Sequence, residues 1–228
     1  MTIVLATKNR DKIREIKEIL ADLPVEIKTS ADFPGIPDVE EDGRTLQENA
    51  VKKAKQFHQF TGLPALADDT GLEVDALHGA PGVYSSRFAG EKATYEDNRK
   101  KLLHKMKTVP DENRGAQFRS VAAFVNGDHV ITTEGIVRGT ITRKPAGSGG
   151  FGYDPIFFVP ELGRTFAEIS LKEKNNISHR GRALRKMKEK LAKLKLNSGG
   201  GHHEEMDSTD RNSNRNGGDD DWLQQKKC

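Results

Sequence analysis

The chain has 228 residues, 34% apolar and 31% charged, with a net charge of +3; this suits one large domain, or two small lobes sharing a core, under a charged surface. No apolar run approaches the roughly 20 residues of a membrane helix, and the opening "MTIVLATKNRDK" is too short and wrongly ordered for a secretory signal. Cys228 is the only cysteine, which excludes an intrachain disulfide and a cysteine-ligated zinc site, so the expected setting is the cytoplasm, away from membranes.

In chain order, "TIVLAT" reads as a buried strand and "NRDKIREIKEILADL" as an amphipathic helix with Ile13, Ile16, Ile19 and Leu20 at helical spacing. A loop with Pro34, Gly35 and Pro37 leads to the helix "TLQENAVKKAKQFHQF", opened by a capping-box pattern of Thr45 and Glu48. "PALAD" is a second buried strand and "TYEDNRKKLLHKM" a helix. "AQFRSVAAFVNGDHVITTEGIVRGTITRKP" contains strands with a hairpin turn at "NGD", and "DPIFFVP" is another short strand. The last helix is "SHRGRALRKMKEKLAKLKL", with Ser178 as its N-cap. Helices alternating with strands, then a meander, predict an α/β fold with a mixed sheet in two lobes.

From Asn197 the composition changes. Residues 197–228 carry almost nothing apolar besides Met206, Trp222 and Leu223, so a disordered polar tail is expected after a folded domain of residues 1–196. His202 and His203 in it read as polar rather than metal-binding. The sequon at Asn176 to Ser178 reads as chance.

Five stretches carry polar groups that a packed core does not require. In "TKNRDK", residues 7–12, a strand runs into a helix N-terminus, whose free N–H groups and positive dipole end suit phosphate. Thr7 and Asn9 add donors and Lys8 and Lys12 add charge, though an ordinary helix start capped by Asn9 needs the same residues. Glu40, Glu41 and Asp42 are hard oxygen donors of the kind Mg²⁺ takes together with phosphates and water; a solvated acidic loop looks no different. Asp68 and Asp69 end a strand, where successive side chains face opposite sides, so they have different tasks. Either one meets a metal or water in the crevice at the strand ends while the other caps a turn at Thr70–Gly71, or the pair is simply part of a structural turn.

In "GSGGFGYDP", residues 147–155, the glycine spacing matches a dinucleotide fingerprint by letter, but no helix follows. The bare backbone there lets a planar ligand approach, with Phe151 and Tyr153 as stacking faces and Asp154 as a polar contact. Lys174, His179 and Arg180 supply donors for carbonyl or phosphate oxygen. The basic excess from Lys172 to Lys195 suits a polyanion or a solvated helix face; without interleaved aromatics it does not predict nucleic-acid binding. Cationic donors, carboxylates and a stacking platform are together what a phosphoanhydride-cleaving enzyme needs.

"ATKNRDK", "EEDGRTLQENAVKKA", "ALADDTGLEVDALHGAPGVYSSRFAG", "GSGGFGYDPIFFVP", "AEIS" and "ISHRGRAL" follow in this order. They closely resemble the noncanonical purine nucleoside triphosphate pyrophosphatases, the inosine/xanthosine triphosphatase family, in its bacterial form, over about residues 1–195. The resemblance implies Mg²⁺-dependent hydrolysis of ITP, dITP and XTP to the monophosphate and pyrophosphate. It implies a homodimer and an elongated sheet flanked by helices, with the substrate in a cleft between two lobes. It also implies that Thr7, Lys8, Asn9, Arg10, Asp11 and Lys12 hold the triphosphate, and that Glu41 and Asp69 hold Mg²⁺. Asp69 would orient or deprotonate the attacking water beside Thr70. Phe151, Gly152, Tyr153 and Asp154 would form the base pocket, and Lys174, His179 and Arg180 would complete it near the purine 6-oxo group, with Lys53 and Arg87 as further phosphate contacts. Lys8 stands where many relatives carry a small residue, and the tail has no counterpart.

Overall fold

A computed structural model describes residues 1–198 of the chain. Strands are β1 (Thr2–Leu5), β2 (Glu26–Lys28), β3 (Ala65–Val74), β4 (Pro81–Gly82), β5 (Gly115–Asn126), β6 (His129–Ile141), β7 (Phe157–Val159) and β8 (Arg164–Thr165). Helices are α1 (Arg10–Ile19), α2 (Leu46–Thr61), α3 (Tyr95–Lys105), α4 (Leu171–Ile177) and α5 (His179–Ser198). They form one mixed sheet in the order β2-β1-β3-β5-β6-β7-β8, with β4 beside β3. The β1 pairings with β2 and β3 are parallel, and the rest are antiparallel.

Strand alternation sets the layers. Ala65 and Ala67 face α2, packing with Ala50, Ala54, Phe57, Val121 and Ala123. Leu66 faces the other side, with Ile16 of α1, Leu20 just after it, and Ala183, Leu184 and Met187 of α5. Further along the same strands, Leu72, Val74, Ala116 and Phe118 join a third cluster with Leu102 of α3, Ile141, Phe157 and Phe166. Thus one end of β3 and β5 serves the first two clusters and the other end serves the third. Between them lies a polar waist, where Asp68, Asp69 and Thr70 pair in register with Ala122, Val121 and Ser120. This is the mixed, helix-flanked sheet expected from the alternation of patterns.

Local signals hold at several ends. Asn9 Oδ1 accepts from the N–H groups of Asp11 and Lys12 at 2.9 and 3.2 Å and caps α1. Ser178 Oγ accepts from the N–H of Gly181 at 3.1 Å at the start of α5. The hairpin turns through Gly127, at φ +57°, with Asn126 opposite His129.

Three expectations are corrected. Thr70–Gly71 is no turn: β3 runs through both, and Gly71 is required because a Cβ there would lie 2.6 Å from the carbonyl oxygen of Gly82 in β4. Asp68 therefore supports no turn. Glu48 Oε2 accepts from the N–H of Arg44 at 2.7 Å rather than of Thr45, because the chain before α2 folds back one residue earlier than in a capping box. A separate helix, α4, precedes α5, with its own box in which Ser170 and Glu173 satisfy each other's N–H groups. The expected tail lies outside the described residues apart from its first two, which fall within α5.

Candidate active site

The polar waist opens into a cavity of about 320 Å³, at the low end of the about 300–1,000 Å³ common for small-molecule sites. The β1–α1 turn supplies Thr7, Lys8 and Asn9, the first turn of α1 supplies Lys12, and the loop before α2 supplies Glu41. Lys53 comes from α2, Asp69 and Thr70 from β3, and Tyr95 from α3. The glycine loop contributes Phe151 to Asp154, and α4 and α5 contribute Lys174, His179 and Arg180. Of the sequence-derived candidates, Arg10, Asp11, Asp42, Asp68 and Arg87 are not on this wall: Arg10 and Asp11 belong to the first turn of α1, and Asp68 is buried behind it. Glu40 is exposed and away from the wall, which separates it from Glu41.

The two aspartates point to opposite faces of β3 and meet different partners. Asp68 is 0% exposed. Its Oδ2 accepts from Arg180 Nε at 2.9 Å and from Thr70 Oγ1 at 3.0 Å, and Lys12 Nζ stands 3.4 Å from its Oδ1. Burial alone would raise its pKa, but Arg180, Lys12 and Lys53 outweigh burial and hold the carboxyl well below the usual carboxylate range. Asp69 is 4% exposed and faces α2, where its Oδ1 accepts from Lys53 Nζ at 2.8 Å. The same ammonium donates to Glu41 Oε1 at 2.7 Å and to the carbonyl of Asp68 at 2.9 Å.

Lys53 thus bridges the two carboxylates expected to hold a metal. Burial works against its charge, but Asp69, Glu41 and Asp68 overcome that and raise its pKa. Burial raises the Asp69 carboxyl, with Lys53 and Lys12 opposing. For Glu41, the pull of Lys53, Lys12 and Arg87 overcomes burial and lowers it. Two carboxylates pushed in opposite directions are a common arrangement where one handles a proton.

A second buried network holds the inner wall. Glu15 of α1 accepts from Lys174 Nζ at 2.7 Å and from Arg180 Nη1. Lys174 also donates to Asp154 Oδ2 at 2.6 Å, which in turn accepts from the N–H of Phe151 at 2.8 Å. Asp154 is thereby a strut for the glycine loop, and burial raises its pKa despite Lys174. Tyr153 donates its hydroxyl to the Ser85 carbonyl at 3.0 Å. The Phe151 ring lies over Lys174 Nζ at 4.7 Å and Arg180 Cζ at 5.6 Å. His179 stacks on Phe118 with centroids 4.5 Å apart, and its Nδ1 is buried without a hydrogen-bond partner. Burial, then Arg180 and Lys174, press its pKa well below the ordinary value, so the imidazole is neutral and has one N–H to give.

Glu15 and Tyr95 belong to none of the sequence motifs. Glu15 had a signal: it lies on the inward stripe of α1 with Ile16 and Ile19, where an acid needs a buried partner. Lys53 repeats this on α2, between Ala50 and Phe57.

The residues present fit Mg²⁺. That ion takes one or two carboxylates and completes its shell with water and phosphate. Glu41 and Asp69 supply such a pair at the cavity wall, and Asp69 Oδ2 accepts no hydrogen bond among the described residues. No group of three or more acidic, histidine or cysteine side chains gathers among the described residues, so substrate oxygens would have to contribute.

The profile of the Ham1 family matches residues 3–190. A dITP/XTP pyrophosphatase of Geobacter sulfurreducens is 53% identical over 190 residues, covering 83% of this chain and 96% of its own. One of Shigella flexneri is 50% identical over 186 residues, covering 80% and 94%. The solved structure of a HAM1 protein from Coxiella burnetii superposes with a TM-score of 0.77 at 44% identity, covering 85% of this chain and 99% of that one. The Ham1 protein of Staphylococcus aureus gives 0.76 at 38% identity, covering 85% and 100%. With the fold, the cavity motifs and nearly all of the described chain in agreement, this chain belongs to the Ham1 family.

Proposed function

We propose that this chain hydrolyses noncanonical purine nucleoside triphosphates, ITP, dITP and XTP, to the monophosphate and pyrophosphate. The observation that carries this reading is the cavity itself. Lys12 and Lys53 stand beside the Asp68–Asp69 pair, and Phe151, His179 and Arg180 line the same cavity. The activity for which relatives about half identical to the chain are named supports it.

The chemistry follows from the side chains. Lys12, Lys53 and the α1 N-terminus offer positive charge to the phosphates. Asp69 uses Oδ1 on Lys53 and keeps Oδ2 for water, which it orients and from which it takes a proton as the water attacks phosphorus and the pyrophosphate leaves. Mg²⁺, held by Glu41 and Asp69 when bound, supplies charge neutralisation for the departing pyrophosphate. A neutral His179 and the one Arg180 Nη1 N–H not given to Glu15 are donors suited to a 6-oxo purine. Against the amino group of adenine they would stay unpaired, which a buried polar site rejects.

A panel of ITP, dITP, XTP, ATP and GTP with Mg²⁺ and pyrophosphate detection tests the reading. Equal rates on ATP and ITP refute the specificity, and preference for a modified pyrimidine triphosphate would move the chain to a related pyrophosphatase class. We propose a homodimer on the family resemblance alone, which light scattering tests. We also propose a cytoplasmic site of action; among the described residues no helix is long and apolar enough to cross a membrane.

A further inference from the structure

Tyr95 is the first residue of α3, directly after its Thr94 cap, and it lines the cavity at 39% exposure. Two contacts fix it. Its hydroxyl oxygen accepts from Asn9 Nδ2 at 3.0 Å, and its ring meets Phe151 with centroids 5.8 Å apart and planes at 44°. The Asn9 contact is set by α1: Oδ1 of Asn9 is committed to the N–H groups of Asp11 and Lys12, so the amide nitrogen is left for Tyr95. One lone pair of the tyrosine is thereby used, while its O–H has no acceptor among the described residues. Burial raises the hydroxyl's pKa above its ordinary value, so it keeps its proton at neutral pH.

Tyr95 therefore spans the gap between the phosphate turn, touched through Asn9, and the base wall, touched through Phe151. In a nucleoside triphosphate the group between polyphosphate and base is the sugar. We propose that Tyr95 is a substrate-binding residue for that sugar, its hydroxyl donating to a sugar oxygen and its ring closing beside Phe151 on the sugar's apolar face. This rests on the reading of the cavity as a nucleoside triphosphate site. A tyrosine that merely ties α3 to α1 would make the same contact with Asn9 but would not respond to the nucleoside.

Tyr95→Phe keeps the ring and removes the hydroxyl. Inosine monophosphate and pyrophosphate are titrated separately into wild type and variant by calorimetry, alongside KM and kcat for ITP. Loss of one neutral hydrogen bond to the sugar predicts an about two- to tenfold weaker affinity for inosine monophosphate and a matching rise in KM. Pyrophosphate affinity and kcat stay as in wild type. Unchanged monophosphate affinity overturns the proposal, and so does weakened pyrophosphate binding, alone or with the monophosphate's, since that reports a disturbed phosphate turn. Tyr95→Ala should weaken the monophosphate further, and an equal effect of Phe and Ala overturns the part given to the ring. Wild-type protein that neither binds nor hydrolyses inosine nucleotides would refute the function reading itself; wild type that binds them as well as the variant does refutes only the role of Tyr95.

Discussion

Substituting Asp68 by Asn removes a charge that is wholly buried and that faces Arg180, itself 1% exposed, across 2.9 Å. Breaking one side of a buried ion pair costs about 3–5 kcal/mol, because the remaining charge loses its compensation. Arg180 keeps Glu15 on Nη1, which points to the lower end of that range. A loss of about 3 kcal/mol in a domain of this size lowers the melting temperature by about 6–12 °C. Asp69→Asn, one residue away, has the opposite profile. Burial raises the Asp69 carboxyl, so the fold disfavours its ionised form and a neutral amide removes that penalty, while Lys53 keeps Glu41. Its stability should change by less than about 1 kcal/mol, and turnover should fall about 10²- to 10⁴-fold as the water loses its acceptor. Calorimetric melts at pH 7 and pyrophosphate release from ITP measure both variants. A melt of Asp68→Asn within about 2 °C of wild type, or an active Asp69→Asn, refutes the division of labour between the two faces of β3.

Gly135→Ala should lower both stability and activity, by about 1–3 kcal/mol in stability, because the added Cβ would lie 2.1 Å from the His179 carbonyl oxygen and 2.5 Å from the Ala183 nitrogen, backbone atoms that carry His179 and Arg180; chemical denaturation and ITP turnover check it. Lys8 donates to Asp38 at 2.6 Å across an exposed part of the wall, a pair worth about 0–1 kcal/mol, so Lys8→Ala should leave the melt unchanged. Asp38→Asn should free the ammonium for phosphate and lower KM at low ionic strength, and an unchanged KM at every salt concentration counts against any phosphate role for Lys8. Glu15 and Asp68 both have lowered pKa values in the fold. Their stabilisation is fully present above the unfolded carboxylate values of about 4 and is lost as pH falls below them through the folded values. Melting temperature followed downward from pH 5 should show this fall, and Asp68→Asn should flatten it.

Much of the site was legible because its elements are announced locally. Asn9 and Ser178 sit where helix starts need side-chain acceptors, and period-two alternation alone separates Asp68 from Asp69. The partners were not legible, because they are set by tertiary packing. Asp68 meets Arg180 at a separation of 112 residues, and Glu15 meets Lys174 at 159. Thr70–Gly71 has turn chemistry, yet the approach of β4 decides its conformation.

The basic run of Lys172 to Lys195 shows how one composition covers several tasks. Lys174 and Arg180 point inward to carboxylates, so they are the cations of the site rather than part of a solvated face. Arg182, Lys186 and Lys190 do something else: they donate to the carbonyls of Ile136, Glu134 and Thr132 at 2.8, 2.8 and 3.1 Å. The steps match, since four residues of helix advance about 6 Å and two residues of strand about 6.8 Å. β7 pairs with β6 only at Thr140 and Ile141, so among the described residues no strand covers the rest of that edge of β6. Three cations of α5 satisfy these carbonyls with side-chain donors, where a bare sheet edge would leave them open to an added strand.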